Sequence, residues 1–317
     1  MDIRASIWLF LVVTICTLFT PQVCAFERKV TQEKHNQTFS YSWQDQQDKQ
    51  QTFSFTYSND QLFNHYRRFK AFNTQEYLDT IHIKVINTIK QFDSRKYTLT
   101  TNRKARSIEY KVESDDAELL KEVESRVEQA KQQARKSYLK KHFYADMIAS
   151  WAKDAVRPDV PRFVKESYSY ITPISQAIKD KFGPNARPKT VINFVISWLQ
   201  AMPVEPLPDR FYKSGEQFKP PLKLVRQNYG DVDSKSVLAA ALLKAIYPRL
   251  RIAIITTPHH SILGLNLPIR KGEKFIDING LKYLLVETQG PTQQSLATVN
   301  DRSWSMINSK QYIVDVI

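Results

Sequence analysis

Residues 38–57 alternate between aromatic and polar side chains, the period of two that is typical of a β-strand. The polar run 44–50 divides this alternation into two halves. The aromatic positions are Phe39, Tyr41, Trp43, Phe53, Phe55 and Tyr57. The pattern predicts a β-hairpin whose aromatic face packs into a core, and a platform for sugars or peptides is the alternative role for that face.

After this hairpin, the apolar residues recur at the spacing of an α-helix. Asn59 or Asp60 can cap the first predicted helix. Two prolines end the long helix that is the last of these predicted elements. A domain boundary is therefore expected between residues 26–158 and residues 159–317. The predicted elements are a helix over residues 62–69, a helix over residues 75–92, a strand pair over residues 97–112 and a long helix from Asp115 to about Asp154.

The chain beyond residue 158 predicts helices first and strands last. Pro173 marks the start of one helix and Gly183 its end, and residues 189–201 form the next helix. Prolines make residues 202–221 a long loop, and residues 233–247 are strongly amphipathic. The last two strands are joined by an Asn-Gly pair, which is a strong type I′ turn signal. The predicted strands are residues 251–256, 260–267, 274–278 and 282–287.

Residues 1–25 have the pattern of a cleavable export signal. An apolar run over residues 7–19 is followed by a proline and small side chains, so cleavage is predicted after Ala25. The alternative is an uncleaved anchor, which also leaves the remainder outside the cytosol. Cys16 and Cys24 are the two cysteines of the chain. Cleavage therefore leaves no thiol for a disulfide, a metal site or a nucleophile.

Composition narrows the class of protein further. The 317 residues are 42% hydrophobic and 12% aromatic, which excludes a disordered chain. Lys plus Arg number 46 against 32 Asp plus Glu, so the net charge of +14 favours an anionic surface as a partner. The basic residues form no aromatic-basic motif, so nucleic acid is not expected. No later segment is apolar enough for a membrane span, and the predicted location is periplasmic or secreted.

Three C-terminal segments together have the layout of a thiol protease. Residues 258–264, at the start of one predicted strand, contain His259 and His260. Residues 283–291, at the end of another, contain Glu287. In such a layout the helix dipole lowers the pKa of a thiol at the helix N-terminus, an imidazole takes its proton, and a carboxylate orients the imidazole. The helix start in this chain is Gly230-Asp231-Val232-Asp233-Ser234-Lys235-Ser236.

These segments resemble those of bacterial transglutaminase-like proteins, which are papain-related cysteine hydrolases and acyltransferases. In that family the helix begins with Gly-Asp-Cys followed by Asp or Glu, and Val232 stands here in the place of the cysteine. The resemblance covers residues 160–292 and implies that His260, rather than His259, is the family histidine and Glu287 the third residue. It implies an α+β fold with a transglutaminase-like (papain-like) C-terminal domain, preceded by a β-hairpin plus long-helix N-terminal module.

The valine decides the predicted chemistry. Because valine has no lone pair and no acidic proton, Val232 preserves packing and removes covalent catalysis. Ser234 lies two positions further, about 200° around the helix, so its hydroxyl points elsewhere. Its simplest role is hydrogen bonding at the helix start, with Asp233 as the cap. His259 and His260 are adjacent on a strand and point to opposite faces, so no metal site is predicted.

The prediction is therefore an exported protein with no intact catalytic residue and no cofactor. Val232, His260 and Glu287 form a vestigial triad in which the histidine is hydrogen-bonded to the glutamate. The expected function is binding of a peptide or partner protein in the cell envelope, as an adaptor or regulator. The alternative is an active hydrolase or acyltransferase that uses a non-cysteine mechanism at the same cleft. The further candidates for that cleft are Asp231, Asp233, Ser234 and His259.

Overall fold

The computed structural model describes residues 26–151, 155–205 and 218–317. The predicted export signal with its two cysteines lies outside the described residues, as do two prolines of the predicted loop. Helices and strands are mixed along the described chain, which agrees with the coarse class predicted from the sequence. None of the helices that the structure describes combines the length and the apolar character needed to cross a bilayer.

An antiparallel three-stranded sheet opens the described chain. The predicted hairpin is confirmed, because Phe39 pairs with Phe55 and Tyr41 with Phe53, which places their side chains on one face. An additional edge strand, which the sequence pattern did not predict, precedes it. In spatial order the strands are β1 (Glu27–Gln32), β2 (Asn36–Gln44) and β3 (Gln50–Ser58).

Two helices, a hairpin and a long helix follow this sheet. Ser58, and not Asn59 or Asp60, is the N-cap of the first helix. The Ser58 hydroxyl accepts from the Gln61 N–H while the Gln61 side chain accepts from the Ser58 N–H, which is a capping box. The elements are α1 (Asn59–Arg68), α2 (Thr74–Ile89), β4 (Thr98–Arg103), β5 (Ile108–Glu113), α3 (Ala117–His142), β6 (Tyr144–Asp146) and β7 (Val156–Pro158).

Helix α3 is shorter than the sequence predicts. It ends at His142 and not near Asp154, because Phe143 adopts a left-handed conformation with a φ of 64°. The backbone N–H of Phe143 bonds to the Leu139 carbonyl and closes the last turn. The short strands β6 and β7 then pair with each other, so this stretch is extended where a helix was expected.

In the C-terminal part of the chain, most of the helices come first and the strands of an antiparallel sheet follow. All four predicted strands are confirmed, and the positive φ angles of Asn279 and Gly280 fit the predicted turn. The sequence pattern did not predict the last helix or the last strand. The helices are α4 (Val160–Glu166), α5 (Tyr168–Phe182), α6 (Pro188–Ala201), α7 (Pro221–Gln227), α8 (Val232–Ile246) and α9 (Asp301–Asn308). In spatial order the strands are β10 (Phe275–Ile278), β11 (Leu281–Val286), β9 (Ser261–Leu265), β8 (Ile252–Thr256) and β12 (Ile313–Val316).

Pro173 lies inside α5, which corrects the prediction that it starts the helix. The helix begins earlier, at Tyr168, directly after Ser167 ends α4. The Thr172 hydroxyl donates to the Tyr168 carbonyl at 3.1 Å, so a side chain bonds a backbone group in the turn before the proline. The other end agrees with the prediction, because Gly183 ends α5 with a φ of 71°.

The aromatic face of the N-terminal sheet is buried against α6. The rings of Tyr41 and Phe53 each lie 5.2 Å from the Trp198 ring, measured between centroids. The Trp43 indole N–H donates to Ser197 Oγ at 3.0 Å. These aromatic side chains are therefore core, as expected, and not a ligand platform.

The buried apolar residues that the structure describes form three clusters. The largest joins β2 and β3 to α4, α5, α6, α7 and α8. A second one is formed mainly by α2, α3 and β5, and a third lies against β8, β9 and β11. The assignment of residues 26–158 and residues 159–317 to separate domains stays a prediction. In the largest cluster, the N-terminal hairpin packs directly on the C-terminal helices.

Candidate functional site

Helix α8 begins at Val232, the first member of the triad predicted from the sequence. The valine is only 5% exposed. Asp231 is the N-cap, and its carboxyl group accepts from the Ser234 N–H at 2.8 Å. A Cβ on Gly230 would lie 2.5 Å from Leu224 Cδ1, so the leucine side chain would have to shift to admit any other residue there. The local sequence therefore fixes where the helix starts.

Ser234 has the contacts of a structural hydroxyl. It is fully buried, and its Oγ donates to the Asp231 carboxyl group and accepts from the Lys219 N–H at 2.8 Å. The prediction that Asp233 caps the helix is wrong, because the extended backbone that precedes the first helical residue is that of Asp231. The Asp233 carboxyl group instead accepts a hydrogen bond from the hydroxyl of Ser261 at the start of β9.

His260 and Glu287 form a buried pair. His260 Nε2 lies 2.6 Å from Glu287 Oε2, and the two side chains are 10% and 2% exposed. This contact confirms the predicted pairing. Glu287 Oε1 accepts from the backbone N–H of Gln289 at 3.0 Å, and Asn300 Nδ2 lies 3.4 Å from Oε2. The carboxyl group is thus held at both oxygens, and it fixes the imidazole through Nε2. The other ring nitrogen, Nδ1, is turned away from the glutamate.

Two side-chain contacts join the start of α8 to the segments that carry this pair. Ser261, which follows the histidine, bonds to Asp233 in the first turn of the helix. Ser236 Oγ lies 2.9 Å from the Oγ1 of Thr288, which follows the glutamate. The three segments singled out in the sequence therefore meet at one place in the fold.

His259 is exposed and His260 is buried, but both lie in the turn before β9 and not on the strand predicted from the sequence. A tight turn positions the buried one. The His260 N–H donates to Thr257 Oγ1 at 3.0 Å, and the Thr257 N–H donates to the His260 carbonyl at 2.7 Å. Within residues 26–151, 155–205 and 218–317, no group of three or more His, Cys, Asp or Glu side chains is arranged to hold a metal ion.

Sequence reasoning missed the buried amine of Lys235. This side chain is fully buried, and its Nζ donates to the Met202 carbonyl at 2.7 Å. Burial lowers the pKa of Lys235 to about 7, although the charges of Glu287 and Asp231 oppose the shift. The signal for it was a lysine within a helix whose following residues are almost all apolar. Lys235 adds a titratable group close to the pair.

The segment behind Glu287 is fixed by the buried side chain of Gln200. Gln200 Nε2 donates to the Glu287 carbonyl at 2.8 Å, and its Oε1 accepts from the Gln294 N–H at 2.9 Å. The backbones approach so closely here that a Cβ on Gly290 would lie 1.8 Å from the Gln200 carbonyl oxygen. Helix α6 therefore holds the backbone of the glutamate and the residues that follow it.

The four predicted cleft residues differ in their access to solvent. Asp231 and Ser234 are buried, Asp233 is half-buried and His259 is exposed. A binding role for the first two stays a prediction, while their observed contacts are those of a helix cap. Tyr229, which is 40% exposed, is an aromatic side chain next to the helix start that sequence reasoning did not single out.

Comparisons with known proteins give only a distant likeness. No protein-family model matches the chain, and no curated protein matches it either. Two solved structures of LapG from Legionella pneumophila are similar to it. One has 17% identity over 52% of this chain and 97% of that chain, with a TM-score of 0.26. The other, EGTA-treated, has 16% identity over 48% and 80%, with a TM-score of 0.28. At these TM-scores the likeness carries no inference about the site.

Proposed function

We propose that this chain is a non-catalytic, exported protein of the transglutaminase-like class that binds a peptide or partner protein in the cell envelope. The observation that carries the proposal is the valine at the start of α8, the helix end that is tied to the segments of the His260–Glu287 pair. An oriented imidazole promotes acyl transfer only when it can take a proton from a nucleophile. The side chain of Val232 offers no such atom.

The other polar groups at the helix start are engaged in contacts that argue against a replacement nucleophile. Ser234 Oγ is buried between Asp231 and the Lys219 N–H. Ser236 Oγ is buried against Thr288 Oγ1. The amine of Lys235 is buried on a backbone carbonyl, so a substrate would have to open the core to reach it. These contacts support a scaffold that keeps the shape of a site without its chemistry.

The surface around Val232 has the composition of a peptide-binding site. Tyr229 is 40% exposed, with the Lys219 amine 3.5 Å from its ring centroid, while Asp233 and His259 offer a half-buried carboxyl group and an exposed imidazole. An aromatic anchor bordered by polar side chains is typical of protein and peptide recognition. Because export is predicted from the first residues, the partner is expected in the periplasm or outside the cell.

A bulky substitution at the helix start tests this proposal. Val232→Trp puts an indole in place of a nearly buried side chain at the helix start, and Ile83→Trp introduces the same side chain at an exposed position of α2 as a control. Both variants and the wild type, tagged and cross-linked in envelope extract, are compared by quantitative mass spectrometry. Any protein enriched with the wild type is then purified, and its direct affinity for each variant is measured.

The expected result is a partner whose affinity falls about tenfold or more with Val232→Trp and stays unchanged with Ile83→Trp. Circular dichroism of each variant shows whether the fold is retained. Equal affinity of the wild type and Val232→Trp for every enriched protein would remove the helix start from the binding surface.

A further inference from the structure

A second surface, formed by β1, α1 and α7, carries two arginines that lie against aromatic rings. The guanidinium carbon of Arg28, on β1, lies 5.3 Å from the centroid of the Phe39 ring. That of Arg226, in the last turn of α7, lies 5.3 Å from the centroid of the Tyr66 ring. Contact with a ring face restricts a guanidinium to few orientations, so both arginines are already ordered.

The two arginines are in direct contact. Arg28 Nη2 donates to the backbone carbonyl of Arg226 at 2.7 Å. Both arginines also influence the hydroxyl group of Tyr66. Burial raises the pKa of Tyr66, and the charge and hydrogen bond of Arg226, together with the charge of Arg28, oppose that rise. Both charges therefore act on Tyr66, whose hydroxyl donates to the Leu222 carbonyl at 3.4 Å.

Within the part of the chain that the structure describes, no carboxyl group forms an ion pair with Arg28 or Arg226. Glu27 is the neighbour of Arg28 in sequence, but alternation along β1 directs its side chain to the opposite face of the sheet. Arg28 Nε is buried and has no hydrogen-bond partner among the described residues. Two nearby like charges repel each other, and an unmatched buried donor costs free energy. A bound anion relieves the repulsion between the two charges.

We propose that Arg28 and Arg226 form a binding site for a phosphate group. Two positive charges match a phosphate better than a carboxylate, because a phosphate dianion carries two negative charges and a carboxylate one. The forked donors of guanidinium fit the several oxygens of a phosphate, and arginines held on rings lose little conformational freedom on binding.

The same helix face suggests where the phosphate comes from. Phe63 lies one turn before Tyr66 on α1 and is 59% exposed. The guanidinium carbon of Arg67 lies 5.6 Å from the centroid of the Phe63 ring. An exposed aromatic ring beside arginines is typical of proteins that rest on an anionic membrane surface. A phospholipid headgroup and a free phosphate share the chemistry of this site, and the experiment separates them.

Calorimetric titration with inorganic phosphate at constant ionic strength tests the site directly. The wild type is compared with Arg28→Gln and Arg226→Gln, and Arg249→Gln changes an exposed arginine elsewhere as the matched control. We expect saturable binding of one phosphate that weakens about tenfold in each of the first two variants and is unchanged in Arg249→Gln. Thermal unfolding in chloride buffer shows that each variant is folded.

Co-sedimentation with vesicles forms the second arm, with phosphatidylglycerol vesicles compared with phosphatidylcholine vesicles. Binding to phosphatidylglycerol alone, reduced by Arg226→Gln and by Phe63→Ser, assigns the phosphate to a lipid headgroup. Saturable binding of inorganic phosphate without co-sedimentation assigns it to a soluble ligand, and both results support the site. The proposal is overturned if neither probe binds, or if Arg249→Gln weakens binding as much as Arg226→Gln.

Discussion

His260 Nε2 and Glu287 Oε2 lie 2.6 Å apart in the interior, and this contact links the end of β11 to the turn before β9. The pair is held from both sides, by the backbone N–H of Gln289 and by the threonine turn that precedes the histidine. The pair therefore contributes to the packing of the fold independently of the residue at the helix start. Under the proposed function, the pair would persist for its contribution to packing even though the helix start carries an apolar side chain.

The coupling between these two residues is measurable as a free energy. Removing one partner of a buried hydrogen bond leaves the other unsatisfied, so His260→Ala and Glu287→Gln should each lower the free energy of unfolding. In a double-mutant cycle we expect an interaction free energy of about 1–3 kcal/mol. The exposed ion pair of Arg103 and Asp79 is the control, with about 0–1 kcal/mol expected. Additive effects of His260→Ala and Glu287→Gln would show that the contact does not stabilise the protein.

A second prediction concerns the close approach behind the glutamate. In Gly290→Ala the new methyl group would lie 1.8 Å from the Gln200 carbonyl oxygen, and a backbone atom cannot yield as a flexible side chain does. We expect a loss of several kcal/mol in the free energy of unfolding, about 3 kcal/mol or more, measured by urea denaturation. Thr292→Ala changes an exposed residue of the same segment and should cost about 0.5 kcal/mol or less. Equal stability of the two variants would contradict the packing described here.

His65 predicts how stability depends on pH. This imidazole is fully buried, its Nε2 accepts from the Leu222 N–H at 3.4 Å, and burial lowers its pKa from 6.5 to about 3. The folded-state pKa lies below the unfolded one, so protonation favours unfolding. The contribution of His65 is therefore complete above pH 6.5 and is lost as the pH falls toward 3.

Urea denaturation at pH 7 and pH 4 measures this effect. Between these pH values the wild type should lose about 3 kcal/mol through His65, on the scale of 1.36 kcal/mol per pKa unit. His65→Gln keeps a side-chain acceptor for the Leu222 N–H and should reduce the loss, whereas His35→Gln, at an exposed position, should not. The same acid sensitivity in wild type and His65→Gln would assign the effect to other groups.

Local patterns predicted most of the strands and the segments of the site. The aromatic alternation of β2 and β3 and the Asn-Gly turn before β11 are short-range signals, and both are present in the structure. The pairing of His260 with Glu287 followed from a resemblance in three motifs, which carries long-range information that periodicity lacks.

Other features depend on contacts that a single sequence does not display. The end of α3 is set by the left-handed backbone of Phe143, and aromatic residues give no warning of that conformation. The burial of Lys235 depends on a carbonyl more than thirty residues away. The cap of α8 was placed two residues late because Asp231 and Asp233 are equally good capping residues and only the backbone distinguishes them.

The proposed function rests on Val232 as the replacement of a nucleophile, and a gain-of-function variant tests it. The chain beginning at Phe26 has no cysteine, so Val232→Cys introduces a single thiol. Incubation with an activated ester and intact-mass measurement reports acylation. Val232→Cys/His260→Ala shows whether the imidazole activates the thiol, and Ile83→Cys is the matched control for an exposed thiol.

The account predicts no acyl adduct on the wild type, rapid acylation of Val232→Cys, and a rate about a hundredfold lower when His260 is also replaced, as expected for the loss of a general base. Acylation or ester hydrolysis by the wild-type protein that disappears in His260→Ala would contradict the account and establish an enzyme with a different nucleophile.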